Sequence, residues 1–216
     1  LAGWRLRLGG EVSHESLAAT QSITLGSGIE TPPYGSGLGY VTGGLFVQGQ
    51  RELGEAFGRQ ISVTGGLRLS AFAVLDATAN RDQEWLAPSA DLALNLRERG
   101  KAATWLSLST SARAPNLFEL FYTGDTGSFY QQAPESLALQ SAKTIELGSK
   151  KRSGRLSYQA SLFAMWVDEL LEEQLTLART QSSKPAVSLT NLDQGRFYGA
   201  DLGLEHQLTP SIVHGH

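Results

Sequence analysis

At 216 residues, with a net charge of −3 and no Cys, the chain has room for one large or two small domains but excludes a disulfide framework and a thiolate metal site. Its Lys and Arg form no basic stripe, which argues against nucleic acid as a partner, and no run of about 18 apolar residues offers a transmembrane helix. Hydrophobic content of 41% with 24 Gly and 7 Pro suits a soluble protein or a transmembrane barrel, in which only one strand face meets lipid.

No signal peptide opens the chain. Leu1 is not an initiator Met and Trp4 to Leu8 already alternates, so the chain reads as a piece of something longer. A first strand over residues 3–13 sends Trp4, Leu6, Leu8 and Val12 one way and Arg5, Arg7, Glu11 and Ser13 the other. A long segment, 14–39, precedes a second strand at 40–52, with Val41, Leu45 and Val47 opposed to Thr42, Gln48, Gln50 and Glu52. A short connection at 53–59 leads to a third strand at 60–70, where Ile61, Val63, Leu67 and Leu69 face away from Gln60, Ser62, Thr64, Arg68 and Ser70. After a long segment at 72–85 come Leu92, Leu94 and Leu96, a short connection at 97–101, and Thr104, Leu106 and Leu108 against Ser107, Ser109 and Ser111. A third long segment, 112–141, precedes Ile145 and Leu147. A short connection at 151–155 then introduces a strand at 156–167, made apolar on both faces by Phe163, Met165 and Val167. The last long segment, 171–187, precedes Ala200, Leu202 and Leu204, and a short one follows at 208–210.

Two regularities emerge. Connections alternate long and short, which puts tight turns at one end of the sheet and large loops at the other. Chance at 18% charged residues would place about seven charges on roughly 38 central apolar-face positions and none is there, as lipid would demand when Arg or Lys at mid-membrane costs about 2–4 kcal/mol. A soluble β-sandwich would also keep charge off its buried face, but would need neither the loop alternation nor successive strands of about 9–11 residues. The expected fold class is therefore all-β: an antiparallel transmembrane β-barrel segment of about eight strands, a partial wall with long extracellular loops and short periplasmic turns. Trp4 and Trp166, near strand ends on the apolar face, suit an interfacial girdle.

Residues 107–148 carry a more specific signal. Arg113-Ala114-Pro115-Asn116-Leu117-Phe118-Glu119-Leu120 ends one strand, and Ile145-Glu146-Leu147-Gly148 begins the return. This block resembles the TonB-dependent outer-membrane receptors, as do the aromatic-rich Leu162 to Asp168 and the stretch from Asn191 to Leu202. Two departures stand out: Ala133-Pro134-Glu135-Ser136-Leu137 and Leu139-Gln140 occupy positions where the family often has Asn-Pro-x-Leu and Pro-Glu. The resemblance implies residues 1–210 as part of a receptor barrel, with 211–216 a disordered tail and the plug and coupling segment absent. It implies a place in the bacterial outer membrane and active uptake of a scarce nutrient such as a ferric siderophore or cobalamin. The partners it implies are membrane lipid, the ligand, and an inner-membrane energy-coupling complex acting through the plug. A closed small barrel acting as adhesin or anchor is the alternative, and it requires the Leu6 and Leu202 strands to pair.

Within this frame Arg113, Pro115, Asn116 and Glu119 read as a structural loop base. Phe121, Tyr122, Phe129 and Tyr130, in the same loop, are the candidate ligand contacts, suited to flat or apolar ligand parts. No resident cofactor, metal or catalytic residue is expected. Asp125-Thr126-Gly127 matches an aspartic-protease core, but that chemistry needs two carboxylates sharing a proton; a glycine-rich loop tip is the better reading. Gly35 to Gly39 lacks the strand and helix of a dinucleotide fingerprint. An outer-membrane hydrolase would need His14 beside a nucleophile. His206, His214 and His216 are scattered near the end, and residues 116–141 contain no His for haem. Asp168, Glu169, Glu172 and Glu173 form an acidic loop base, readable as a short helix.

Overall fold

A computed structural model describes residues 3–17, 24–25, 28–29, 37–56, 58–76, 82–98, 102–126, 128–176 and 184–207. The expected tail at 211–216, with His214 and His216, lies outside them, as do Gly35, Ser36 and Gly127. The elements are β1 (Trp4–Leu17), β2 (Thr24–Leu25), β3 (Gly28–Ile29), β4 (Leu38–Ala56), β5 (Arg59–Asp76), β6 (Gln83–Glu98) and β7 (Ala102–Arg113), then α1 (Leu117–Phe121), β8 (Gly124–Asp125), β9 (Tyr130–Gln132), β10 (Gln140–Ser153), β11 (Leu156–Thr176) and β12 (Ala186–His206).

Eight long strands form a meander, β1-β4-β5-β6-β7-β10-β11-β12, each antiparallel to its neighbours. Gly58 and Gly154 hold positive φ (70° and 59°) in the tight turns before β5 and β11, a conformation that glycine adopts without a Cβ penalty. Among the described residues β1 pairs with β4 alone, and β12 with β11 and β9. The sheet is an open wall, so the closed small barrel, with its Leu6–Leu202 strand pairing, is not formed.

Residues directly opposite in an antiparallel ladder share a face. One rung reads Val63–Leu94–Leu106–Leu147–Leu162–Ala200, and the next toward the outer end reads Leu92–Leu108–Ile145–Ala164–Tyr198. The apolar faces of separate strands are thus fused into one band, and its leucines are bare: Leu8, Leu45 and Leu202 are 76%, 71% and 83% exposed. The other face is polar and concave, since residues from β5 through β12 surround one basin of about 870 Å³ on that side. A polar concave face and an apolar convex face are the arrangement of a barrel wall with a wet interior and lipid outside. At the edges of the band Trp4 lies 6.0 Å from the Arg51 guanidinium, and Trp166 meets Tyr198 edge-on at 6.5 Å. Such amphipathic pairs suit the membrane interface.

The doubly apolar stretch of β11 has a local cause. Phe163 lies on the concave face over Gly199, its partner across the ladder, as Trp105 lies over Gly148 and Phe46 over Gly9; a Cβ at any of the three glycines would run into the ring. The aromatic covers backbone that glycine leaves open, a cross-strand pairing that pins register. Trp105 also donates through Nε1 to Glu146 at 2.8 Å.

Two expectations need correction. The acidic stretch Asp168, Glu169, Glu172 and Glu173 is not helical; it continues β11, because each residue pairs with β12 except at a bulge. There Glu169 takes positive φ (57°) and the register passes from Asp168–Gln194 to Leu170–Leu192. The long segments are also shorter than they read, since β5 runs to Asp76, β6 starts at Gln83, β11 reaches Thr176 and β12 starts at Ala186. At 21 residues, β11 and β12 are about twice as long as the 9–11 residues a strand needs to cross a bilayer. Sequence alternation marks only part of these strands, and the pattern fades toward the end bearing the loops.

Candidate functional site

The segment between β7 and β10 is built around the Arg-Ala-Pro-Asn-Leu block. Arg113 closes β7. Ala114 and Pro115 are buried, and Pro115, with no N–H to donate, cannot extend the ladder. Asn116 then caps α1: its Oδ1 accepts from the Glu119 backbone N–H, while Glu119 Oε2 accepts from the Asn116 N–H, both at 2.9 Å. This reciprocal capping box is locked to the wall by Arg113, whose Nη1 donates to both Glu119 oxygens at 2.9 Å while Nε and Nη2 reach Gln140 on β10. Arg113, Pro115, Asn116 and Glu119 therefore meet in one cluster. Asn116→Ala should loosen α1 by about 0.5–2 kcal/mol. Faster hydrogen exchange confined to residues 117–122 would report it, and unchanged exchange would count against the cap.

Burial then folds the segment across the concave mouth. Leu120 (2% exposed), Phe121 (7%) and Leu137 (4%) form one cluster with Leu38 of β4 and Val74 of β5, joined by Leu171 of β11 and Leu189 of β12. The helix thus bridges opposite sides of the wall. Beyond it the chain passes β10 and β11 to reach β12, where β9 adds in parallel at Ala186–Ser188 and β8 pairs onto β9. Asn191 fastens the return: its Oδ1 accepts from the Ala138 N–H at 2.8 Å, and its Nδ2 donates to the carbonyl of bulged Glu169 at 3.0 Å. Lys184 pairs with Asp125, and Gln132 accepts from Thr176 Oγ1.

The four candidate aromatics part company. Phe121 sits in the core. Tyr122 stacks on Phe118, centroids 4.6 Å apart and 21° from parallel, and its hydroxyl donates to the Asp125 carbonyl. Phe129 and Tyr130 are half-buried on the turn and strand that follow. Phe118, at 45% exposure, was passed over in the sequence. The capping box places it one turn before Tyr122 on the open side of α1, so Asn116 followed three residues later by Glu119 was the available signal. Leu120, Leu137 and Asn191 were missed as anchors because their partners lie on distant strands.

Asp125 pairs with Lys184, and Thr126 closes the turn through N and Oγ1 to the Phe129 carbonyl. His14 lies opposite Val41 on the convex face, away from the mouth. No group of three or more His, Asp or Glu suited to a metal ion occurs among the described residues, and no described helix is long and apolar enough to cross a membrane. Beyond Trp166, toward the end bearing the loops, a hydrogen bond from Lys143 Nζ at 3.2 Å, with a second from Gln194, holds the Asp168 carboxyl below its ordinary range.

Residues 2–213 match a family model described as TonB dependent receptor-like, beta-barrel. No curated protein matches the chain. Among solved structures it is similar to the copper transporter OprC, with a TM-score of 0.72 and 18% identity over 97% of this chain and 34% of that one. It is also similar to the FrpB iron transporter from Neisseria meningitidis in its F5-1 apoprotein form, with a TM-score of 0.66 and 15% identity over 97% and 32%. A third is the Serratia marcescens hemophore receptor HasR with its hemophore HasA and heme, with a TM-score of 0.61 and 16% identity over 93% and 39%. The chain spans about a third of the length of these structures. At these identities the likeness is one of fold.

Proposed function

Because this chain belongs to the TonB-dependent receptor family through its β-barrel domain, we propose that it is about a third of the wall of a bacterial outer-membrane receptor that takes up a scarce nutrient. In this reading residues 113–140 form part of the recognition surface at the outer mouth. One observation carries it: a segment pinned by Arg113, Glu119 and Asn191 spans the concave mouth between β4–β5 and β11–β12, above a wall whose convex side is apolar. Such a segment can present Phe118, Tyr122, Phe129 and Tyr130 to a ligand arriving from outside, while Phe121 anchors them from beneath.

The ligand would be a nutrient with flat or apolar parts, such as a ferric siderophore or cobalamin. Copper, iron and heme appear in the names of the similar structures, so fold selects no single cargo. Energy would reach the receptor from an inner-membrane complex acting on a plug supplied by the rest of the protein. The family and the similar structures are receptors and transporters, and no enzymatic role is proposed.

The test is uptake by cells carrying the complete receptor with Tyr122, Phe129 and Tyr130 replaced by Ala. Growth on one of a panel of ferric siderophores, or on cobalamin, should fall while the amount of receptor in the outer membrane is unchanged. Deletion of the whole receptor that leaves uptake of every panel member intact would refute the transport reading.

A further inference from the structure

The apolar convex face carries one polar group that strand alternation does not call for. Ala90–Thr110–Lys143–Trp166–Arg196 form a single rung across five strands on that face. Lys143 and Arg196 stand on either side of Trp166, two strand spacings or roughly 10 Å apart. Among the described strand residues they are the two Lys or Arg side chains on the loop-bearing half of this face, and both are exposed. A polar network positions them. Lys143 Nζ donates to Asp168 at 3.2 Å, Gln194 Nε2 donates to the same carboxylate at 3.4 Å, and Arg196 donates through Nε and Nη2 to Gln194 Oε1 at 3.3 and 3.1 Å. Asp168 offsets one of the two cations. Arg196 bonds to a neutral amide and has no ion-pair partner among the described residues, so the cluster keeps one positive charge.

Beside this rung, toward the short turns, the wall is hollowed. A groove of about 480 Å³ is lined by Ala90, Leu92, Leu108, Thr110, Ile145 and Trp166, and Lys143 borders it too. Ala90 and Thr110 leave room there, being smaller than Leu92 and Leu108 of the next rung. Cation and groove are therefore contiguous, with Trp166 beside both.

The order of charges along the strands selects the occupant. On β11 and β12 the acids nearest the rung lie on its loop side, at Asp168, Glu169 and Asp193, while Ala164, Tyr198 and Ala200 lie on the other. An anion approaching from the loop side meets these carboxylates first and is repelled. An anion carried on an acyl chain arrives from the apolar side and reaches Lys143 and Arg196 without passing them.

We propose that this rung and groove bind one anionic, phosphate-bearing lipid of the surrounding bilayer, an inference that rests on the membrane reading above. Its phosphate accepts charge-assisted hydrogen bonds from the Arg196 guanidinium and the Lys143 ammonium, whose side chains are long enough to reach a group seated over the Trp166 ring. Trp166 lies at the boundary of head and tail, where an amphipathic ring is favoured. One acyl chain occupies the groove. A tail gains no hydrophobic energy by leaving other lipid for protein, so the groove fixes the lipid's position while the cations supply the preference. The lipid braces β10 to β12, the strands from which Gln140 and Asn191 hold the mouth segment.

The test is native mass spectrometry of the complete receptor in detergent, titrated with phosphatidic acid or with phosphatidylcholine of the same chains. Phosphatidic acid should be retained at about tenfold lower concentration, the scale of one charge-assisted hydrogen bond, and K143Q/R196Q should retain one phosphatidic acid fewer per receptor. A90F, which fills the groove and leaves both cations, should weaken retention of that same lipid; Ala90→Leu repeats this arm with a smaller group if A90F does not fold. Equal retention of the two lipids, or an unchanged phosphatidic acid stoichiometry in K143Q/R196Q, overturns the lipid site and spares the receptor reading. Displacement of phosphatidic acid by inorganic phosphate, with A90F binding as the wild type does, assigns the cations to a free anion and also overturns it. Equal losses of stability from Leu106→Arg and Ser107→Arg would sink the membrane reading and the lipid site together.

Discussion

Leu106→Arg should cost the assembled barrel about 2–4 kcal/mol, whereas Ser107→Arg, one residue further on, should cost little. Leu106 lies on the convex face in the rung with Leu94 and Leu147. An Arg there is flanked by these apolar side chains and, in the membrane reading, covered by lipid. Thr104, two residues toward the turns on the same face, offers one hydroxyl, too little to solvate a guanidinium. Ser107 points into the concave side, where its rung holds Ala93 and Glu146, so an Arg there meets water and a carboxylate. Urea unfolding of the complete receptor in lipid vesicles, together with its heat-dependent electrophoretic mobility, measures the difference. Equal losses from the two variants would mean that the two faces are not distinguished by lipid, and the membrane reading would fall.

Leu120→Ala should release the mouth segment. Leu120 is 2% exposed and touches the cluster that joins α1 to Leu38 and Val74. Truncating a buried Leu costs about 2–5 kcal/mol through lost transfer energy and the cavity left behind. A five-residue helix has too few internal hydrogen bonds to persist without its packing, so the loss falls on the segment itself. Limited proteolysis should cut within residues 114–139 at least tenfold faster, as a shift of about 1.4 kcal/mol in local opening already implies when cleavage follows the open population. The unfolding midpoint of the wall should barely move, because the ladders of β4 to β7 and β10 to β12 do not pass through Leu120. Ligand affinity should drop with it, since the segment would no longer hold its aromatics in place. A segment as resistant as the wild type would show that the cluster is not what anchors it.

Legibility in the sequence followed the reach of each interaction. Alternation in residues 60–70 records a two-residue period set by an apolar face on one side and a polar face on the other, so the long strands that share it, and their faces, could be read directly. The residues of the Arg113 block could be grouped from the sequence because their polar bonds are nearly local: Asn116 to Glu119 spans three residues and Arg113 to Glu119 six. Phe121 illustrates the limit. An aromatic in a loop reads equally as a ligand contact or an anchor, and only Leu38 and Val74, brought in from strands far away in sequence, decide that it is buried. The same holds for β11 beyond Asp168, where wet surroundings on both sides erase the periodic signal and only pairing with β12 declares a strand.

By itself, then, the chain's residue order determined a set of antiparallel strands, which side of each is apolar, and a capped turn at the end of one of them. Tertiary structure alone decided that the wall stays open, that the β7–β10 segment crosses the mouth to extend β12, and that Lys143 and Arg196 share a rung. The reason is physical. Apolar and aqueous surroundings act on each residue wherever it lies, and so leave a periodic record along the chain. Cross-strand partners far apart in sequence are chosen by register and curvature, which no local pattern encodes.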